Sequence, residues 1–238
     1  MLAGTEEGGA VGDANQGIRE GMCLMTAKTH ALGGLTAALL LAKAGCLGPY
    51  WVSLAAVGAV GGLLPDIDHP GSYVGRRVPL ISDALEMAFG HRSATHSLLA
   101  VFLFYLAARL AASRFLAGEV AGPFTLALAV GYVSHLLLDM LNPQAVPLLW
   151  PWKVRVRFPL PPIIPTGGLL ETVAVRGGLY VAVVYLGYVQ VAGSSFNFAL
   201  PGGRYLDGPL GEALIRGYRR FVTDLIDMMR YFMGFFVK

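Results

Sequence analysis

Charge is scarce in this sequence, and cysteine scarcer. Of 238 residues only 14% are charged, against 55% in the apolar set. Soluble chains average about 25% charged. The deficit excludes a disordered chain, a solvated coiled coil and a basic nucleic-acid-binding module. The net charge of +3 is too small to imply binding to a polyanion, so no direct nucleic-acid contact is expected. Cys23 and Cys46 are the only cysteines, which excludes a disulfide framework and a cysteine-rich zinc site. Also absent are the H-E-x-x-H helix of zinc proteases, the G-x-S-x-G elbow and the P-loop. What remains is a chain of mean hydropathy +0.59, read as an integral membrane protein. A very apolar soluble helical domain is the alternative.

Apolar sequence is arranged in five segments, roughly 31–47, 49–64, 97–116, 123–141 and 173–192. A helix needs about 20 apolar residues to cross a bilayer, with a range of about 17–25. The last three meet that length. The first two are short, and either span with tilt or thinning or form a re-entrant hairpin. Gly58 and Gly62 form a G-x-x-x-G in the second segment, a weak signal for close helix contact. Residues 1–24, rich in glycine and acid, read as a disordered tail or an early start. Residues 25–200 read as the membrane-embedded domain, and 201–238 as a region holding an amphipathic helix over about 209–237. Residues 79–90 look like a short amphipathic helix between Pro79 and Gly90. Residues 142–170 contain seven prolines and read as an extended loop with a short hairpin. The fold class is therefore all-α, with about five apolar helices.

The histidines carry the functional signal. His30, His69, His91, His96 and His135 each lie at or within two turns of the end of an apolar segment. Threading the segments as alternating spans puts His30, Asp66, Asp68, His69, His91, His96, His135 and Asp139 on one membrane face. Ionisable residues near membrane depth are costly and mark sites. Imidazole and carboxylate are ligands of zinc, manganese and iron. His135 and Asp139 stand four apart on a helix, so their side chains share one face. His91 and His96 converge only if a loop–helix junction separates them. The metal ligands expected are His30, Asp66, His69, His91, His96, His135 and Asp139, too many for one tetrahedral ion. Two or three divalent ions are expected, zinc first and manganese second.

Four stretches carry a family resemblance. They are Leu64-Pro65-Asp66-Ile67-Asp68-His69-Pro70, Phe89-Gly90-His91-Arg92-Ser93-Ala94-Thr95-His96-Ser97, Gly131-Tyr132-Val133-Ser134-His135 with Asp139, and Val146-Pro147-Leu148-Leu149-Trp150-Pro151. From about Met25 to Thr172 the chain resembles the YdjM family. That family is described as inner-membrane-associated, metal-dependent hydrolases, with a link to the LexA repressor in the name. The resemblance matches the family's opening histidine to His30, its Gly-x-Arg to Gly75-Arg76-Arg77 and its late glutamate to Glu171. It departs at Asn142-Pro143-Gln144-Ala145, where relatives tend to have Thr-Pro-x-Gly, a difference not expected to touch the metals. The family is distantly similar to the zinc phospholipase C group, helical enzymes with three clustered metals.

These readings converge on a multi-pass inner-membrane hydrolase acting on a phosphoester, on a lipid or another amphiphile. Arg92 is the candidate phosphate clamp, with Arg77 and Glu171 as further substrate contacts. Asp68 is the candidate general base or the carboxylate that orients a ligand histidine. Membrane lipid is the expected partner. The rivals are a metal-stabilised scaffold or regulatory binding protein, which a coordinatively closed site would favour, and a metal transporter. Basic residues on the site face (Lys28, Arg76, Arg77, Arg92, Lys153, Arg155 and Arg157) make that face cytoplasmic by the positive-inside rule. The basic stretch from Arg204 to Lys238 argues the reverse if the fifth segment spans.

Overall fold

The computed structural model describes residues 27–90, 92–142, 145–152, 154–158, 168–193, 199–200, 204–205 and 216. The expectations for residues 1–24 and for a helix over 209–237 lie outside these, Arg216 excepted. The fold is that of an all-α membrane protein. Six α-helices are described: α1 (Ala27–Lys43), α2 (Trp51–Gly61), α3 (Pro79–Phe89), α4 (Leu98–Phe115), α5 (Gly118–Asp139) and α6 (Gly177–Gly193). A π-helical turn, Glu171–Arg176, leads into α6. The only described strand pairing is short: Ala199–Leu200 against Arg204–Tyr205, and an isolated antiparallel bridge between Val146 and Val156. That bridge realises the hairpin expected within the proline-rich loop.

Four helical stretches are long and apolar enough to cross a membrane: Gly48–Asp68, Leu98–Phe115, Gly118–Asp139 and Glu171–Val191. The second apolar segment is longer than its composition suggested. Turns of 3-10 helix at Gly48–Tyr50 and Pro65–Asp68 extend α2 at both ends to 21 residues. α1 has 17 residues, the lower limit for a span.

Helices α1, α2 and α5 form the inner layer, and α4 and α6 pack on its outside. The inner three meet backbone to backbone. A Cβ on Gly58 would stand 2.7 Å from the Gly34 oxygen, and one on Gly131 would stand 2.1 Å from the Gly58 oxygen. A Cβ on Gly62 would lie 2.3 Å from the His30 oxygen. The Gly58-x-x-x-Gly62 pattern is thus a true contact seam. Lipid gives no hydrophobic drive for helices to associate, so small residues that permit close approach take its place. One apolar cluster (Ala38, Leu39, Leu47, Leu54, Ala55, Ala127 and Leu186) fills the end of the bundle away from the histidines. A second, around Tyr132, Leu136, Met140 and Val146, packs the proline-rich loop against α5.

The helix directions set the site. α1, α4 and the turn before α6 begin at the end of the bundle where α2 and α5 finish. His30, Asp66, His96, His135 and Asp139 therefore come to one end, as alternation along the chain implied, and Glu171 lies at the same end.

Candidate metal centre

Each element delivers its side chain for a local reason. His135 and Asp139 project from the last turns of α5, one helical turn apart. Pro65 starts the 3-10 turn that follows α2, and this turn buries Asp66 and Asp68. Ser72 locks the turn: its hydroxyl donates to the Asp66 carbonyl at 2.7 Å and accepts from the Gly75 N–H at 2.8 Å. Ser97 caps α4 by accepting from the Ala100 N–H at 3.1 Å. Ser97 itself is extended, and the turns over residues 92–96 that precede it bring His96 to the inside. His30 lies in the first turn of α1, where Gly62, the residue capping α2, approaches its backbone.

These residues meet in a buried cluster. His96 Nε2 and His135 Nε2 are 3.2 Å apart. Asp139 Oδ2 lies 3.5 Å from the first and 3.6 Å from the second. Asp66 Oδ1 lies 3.7 Å and 3.5 Å from the same two atoms. Two triangles of donor atoms thus share the imidazole–imidazole edge. Ligands of a tetrahedral zinc at roughly 2.0–2.1 Å stand about 3.3–3.4 Å from one another, so the spacing fits a metal ion. His30 completes the set. Its ring stacks on His135 with centroids 3.6 Å apart, and its Nε2 is 3.6 Å from Asp139 Oδ1. His30, His96, His135 and Asp139 are at most 1% exposed, and Asp66 is 7% exposed. Two buried atoms, His30 Nδ1 and Asp139 Oδ2, make no hydrogen bond. Such atoms are costly inside a protein, and in Asp139 the atom concerned is the one facing both imidazoles. The groups His30–Asp66–His135 and His96–His135–Asp139 are each able to hold a metal ion.

The surroundings fix the imidazole tautomers. His135 Nδ1 lies 2.8 Å from the Gly62 carbonyl. A carbonyl only accepts, so the proton is on Nδ1 and the Nε2 lone pair faces the cluster. His96 Nδ1 lies 3.0 Å from the Thr95 hydroxyl and 3.4 Å from Asp68 Oδ2. The Thr95 hydroxyl donates to Asp68, which leaves Nδ1 of His96 as a donor. Burial pushes the His96 imidazole toward neutrality. The hydrogen bonds to Asp66 and Asp68, with the Asp139 charge, outweigh it and raise the pKa to about 9. Cation binding at Nε2 must therefore displace a proton.

The remaining described site candidates fall outside the donor set. Asp68 is 1% exposed and stands behind His96, accepting from the Arg92 N–H at 3.2 Å and from Thr95. Arg92 has a positive φ of 54°, and its Nη2 lies 3.2 Å from Asp139 Oδ1. His69 is turned outward, with Nδ1 3.9 Å from Glu86 and its ring against Gly71. His91 lies outside the described residues. Arg77 is exposed, stacked 3.6 Å over the Tyr73 ring. Glu171 is fully buried, accepting from the Thr29 hydroxyl at 2.7 Å and lying 3.6 Å from Arg176. Glu171 and Arg176 are five apart and would diverge on an α-helix; the wider π turn brings them together.

Several contributors escaped the sequence reading. Thr29, Thr95 and Arg176 surround the histidines without being ligands themselves. Asn142 was placed in a segment not expected to reach the metals, and this is corrected. It is 1% exposed and donates to Asp139 Oδ1 at 3.0 Å. Its position three residues after Asp139, just past a helix end, was the available signal.

The chain is similar to known inner membrane proteins. The family model described as YdjM inner membrane protein matches residues 25–198. The Escherichia coli (strain K12) inner membrane protein YdjM is 41% identical over 153 residues, covering 60% of this chain and 74% of the relative. The Shigella flexneri protein of the same name matches equally. Bacillus subtilis (strain 168) YvsG is 36% identical over 172 residues, 72% of this chain and the whole of that protein. No solved structure matches.

Proposed function

This chain belongs to the YdjM family of inner membrane proteins, and from that premise we propose that it is a membrane-bound, metal-dependent hydrolase of a phosphoester carried by an amphiphile. The observation that supports it is the convergence of His96 Nε2, His135 Nε2, Asp139 Oδ2 and Asp66 Oδ1 at ligand–ligand spacing. We assign two or three ions, zinc first and manganese second. His96 and His135, with Asp139, would hold one ion, and His30, with Asp66, would serve a second. A divalent metal bound there supplies a Lewis acid that lowers the pKa of water toward about 7.

The protein's own groups do the rest. Gly62 holds the His135 tautomer. Asp68, already accepting from Thr95 and the Arg92 backbone, acts as a positioning residue for His96 rather than as the base. Carboxylates in that relation to a ligand histidine fix its ring and raise its basicity. The Arg92 guanidinium, which lies 3.2 Å from Asp139, would contact the phosphoryl group through its planar fork. Glu171 and Thr29 brace the start of α1, and with it His30. We assign the site face to the cytoplasm because Lys28, Arg76, Arg77 and Arg92 lie at that end.

A second reading has its own support. His96, His135 and Asp139 are buried donors at ligand spacing, and a fourth protein donor such as Asp66 would close the ion as in structural sites. On that reading the centre stabilises a membrane scaffold. One experiment separates the two. Detergent-purified protein is analysed for metal, then assayed on a panel of phosphoesters and phospholipids with and without chelator. Bound zinc or manganese with chelator-sensitive hydrolysis supports the enzyme. Bound metal without turnover on any substrate supports the scaffold. No metal, and no uptake of added zinc or manganese, overturns both. Orientation is tested with an impermeant thiol reagent on Arg76→Cys and Lys43→Cys in a background without Cys23 and Cys46. Labelling of Arg76→Cys only in inside-out vesicles supports a cytoplasmic site; labelling in intact spheroplasts overturns it.

A further inference from the structure

A groove of about 530 Å³ is lined by Ala27, Lys28, Ala31, Leu63, Tyr73 and Arg176, residues at the end of the bundle where His30 lies. Its volume falls within the range of about 300–1,000 Å³ for small-molecule sites. We propose that it binds a lipid with a phosphate headgroup. Four of the six lining residues present methyls, a leucine side chain or an aromatic ring. The other two are cations, and no acidic residue is among the six. Lys28 is exposed. Arg176 is held in place by Thr29, to which its Nε donates at 3.2 Å, and by Glu171. A third cation, Arg77, stacks on the Tyr73 ring.

Such a lining suits an anion joined to a hydrocarbon. Free phosphate gains nothing from the alanines and Leu63. A zwitterionic headgroup brings a cation that the exposed Lys28 repels. The position agrees. Ala27 and Lys28 open α1, Leu63 lies near the end of the Gly48–Asp68 span, and Arg176 sits in the first turns of the Glu171–Val191 span. The groove therefore lies where helices leave the apolar layer, at the depth of lipid headgroups. Lys28 and Ala31 also flank His30 in sequence, and Leu63 follows Gly62, whose carbonyl orients His135. The inference rests on the hydrolase reading only in making this lipid the substrate class; the binding stands without turnover.

The test measures binding alone. Purified protein in neutral detergent is titrated by calorimetry with a short-chain lipid phosphonate, whose C–P bond resists hydrolysis. Phosphatidylcholine of the same chain length and inorganic phosphate serve as competitors. Saturable binding is expected that neither competitor displaces. Lys28→Glu, which reverses the charge, and Ala31→Phe, which fills the groove, should each weaken it at least tenfold. Lys43→Glu, the same charge change at the other end of α1, should leave it unchanged. Equal binding of phosphatidylcholine, full displacement by inorganic phosphate, or wild-type affinity in both groove variants would overturn the proposal. Binding with this pattern in a protein without metal or turnover would sink the hydrolase reading and keep the groove. Phosphoester turnover alongside wild-type affinity in both groove variants would do the reverse.

Discussion

The inner helices and the outer ones are equally apolar but differently buried. In the α5 span 44% of the most apolar window is buried, and in the α2 span 39%; the figures for α4 and for the span containing α6 are 6% and 11%. α4 buries a single residue, Ala112, and sets Phe102, Leu103 and Leu110 facing outward. The inner helices have glycine at every close approach and carry most of the donor residues. The difference shows what each kind of helix asks of its sequence. An outer helix needs only length and apolarity, because lipid is an adequate solvent for any apolar side chain. An inner helix needs particular small residues at particular positions, because its neighbour is backbone.

The largest effect should come from the seam. Gly131→Val puts a branched side chain where the Gly58 carbonyl stands 2.1 Å from the Cβ position. We expect at least about 3 kcal/mol of destabilisation, the upper range for overpacking, together with loss of metal. Thermal unfolding in detergent and elemental analysis check both, and an unchanged melting temperature would dissolve the distinction between layers. Next, His135→Ala should abolish metal binding and cost about 2–3 kcal/mol, since the Gly62 carbonyl and two carboxylates lose a buried partner. Retention of full metal content would remove His135 from the ligands.

Asp68→Asn keeps the shape of the side chain and weakens the hold on His96 Nδ1. Metal affinity should fall about 10–100-fold with the fold intact; competition with a zinc chelator measures it, and unchanged affinity would confine Asp68 to the loop. Arg92→Lys should leave metal content near wild type and lower kcat/KM on a phosphoester at least tenfold, about 1.4 kcal/mol. Unaltered turnover would make Arg92 a structural partner of Asp139. The smallest effect belongs to the outer layer. Phe102→Leu on α4, at a position 60% exposed, should shift stability by no more than about 0.5 kcal/mol, and a larger loss would show that α4 packs against protein there.

Much of this was legible before folding. Segment lengths gave the helices, and alternation along the chain put the ionisable residues at one end. The i, i+4 spacing gave the His135–Asp139 pair. Ligand counting was less successful. His69 shares a turn with Asp66 and Asp68, yet its ring faces Glu86. Three residues apart, Asp66 and His69 would eclipse each other if the 3-10 turn continued; it ends at Asp68, and the extended backbone of His69 (φ −122°, ψ 110°) sends the ring elsewhere. Asn142 was missed because its partner, Asp139, was considered only as a ligand. The segment Gly48–Asp68 was undervalued because its flanking 3-10 turns contain Gly48, Pro49 and Pro65, residues that ordinarily mark ends.

The sequence by itself determined where the helices run, that they belong in a membrane, and at which end the imidazoles and carboxylates gather. Position along a helix is simple arithmetic at 1.5 Å per residue. Only the tertiary structure decided which candidate donors meet, that Gly62 sets the His135 tautomer, and that Asp68 stands behind His96 rather than in the donor groups. Those facts depend on how each helix is rotated about its axis. In a bilayer that rotation is set by backbone contact between glycines on different helices, a relation no single stretch of sequence contains.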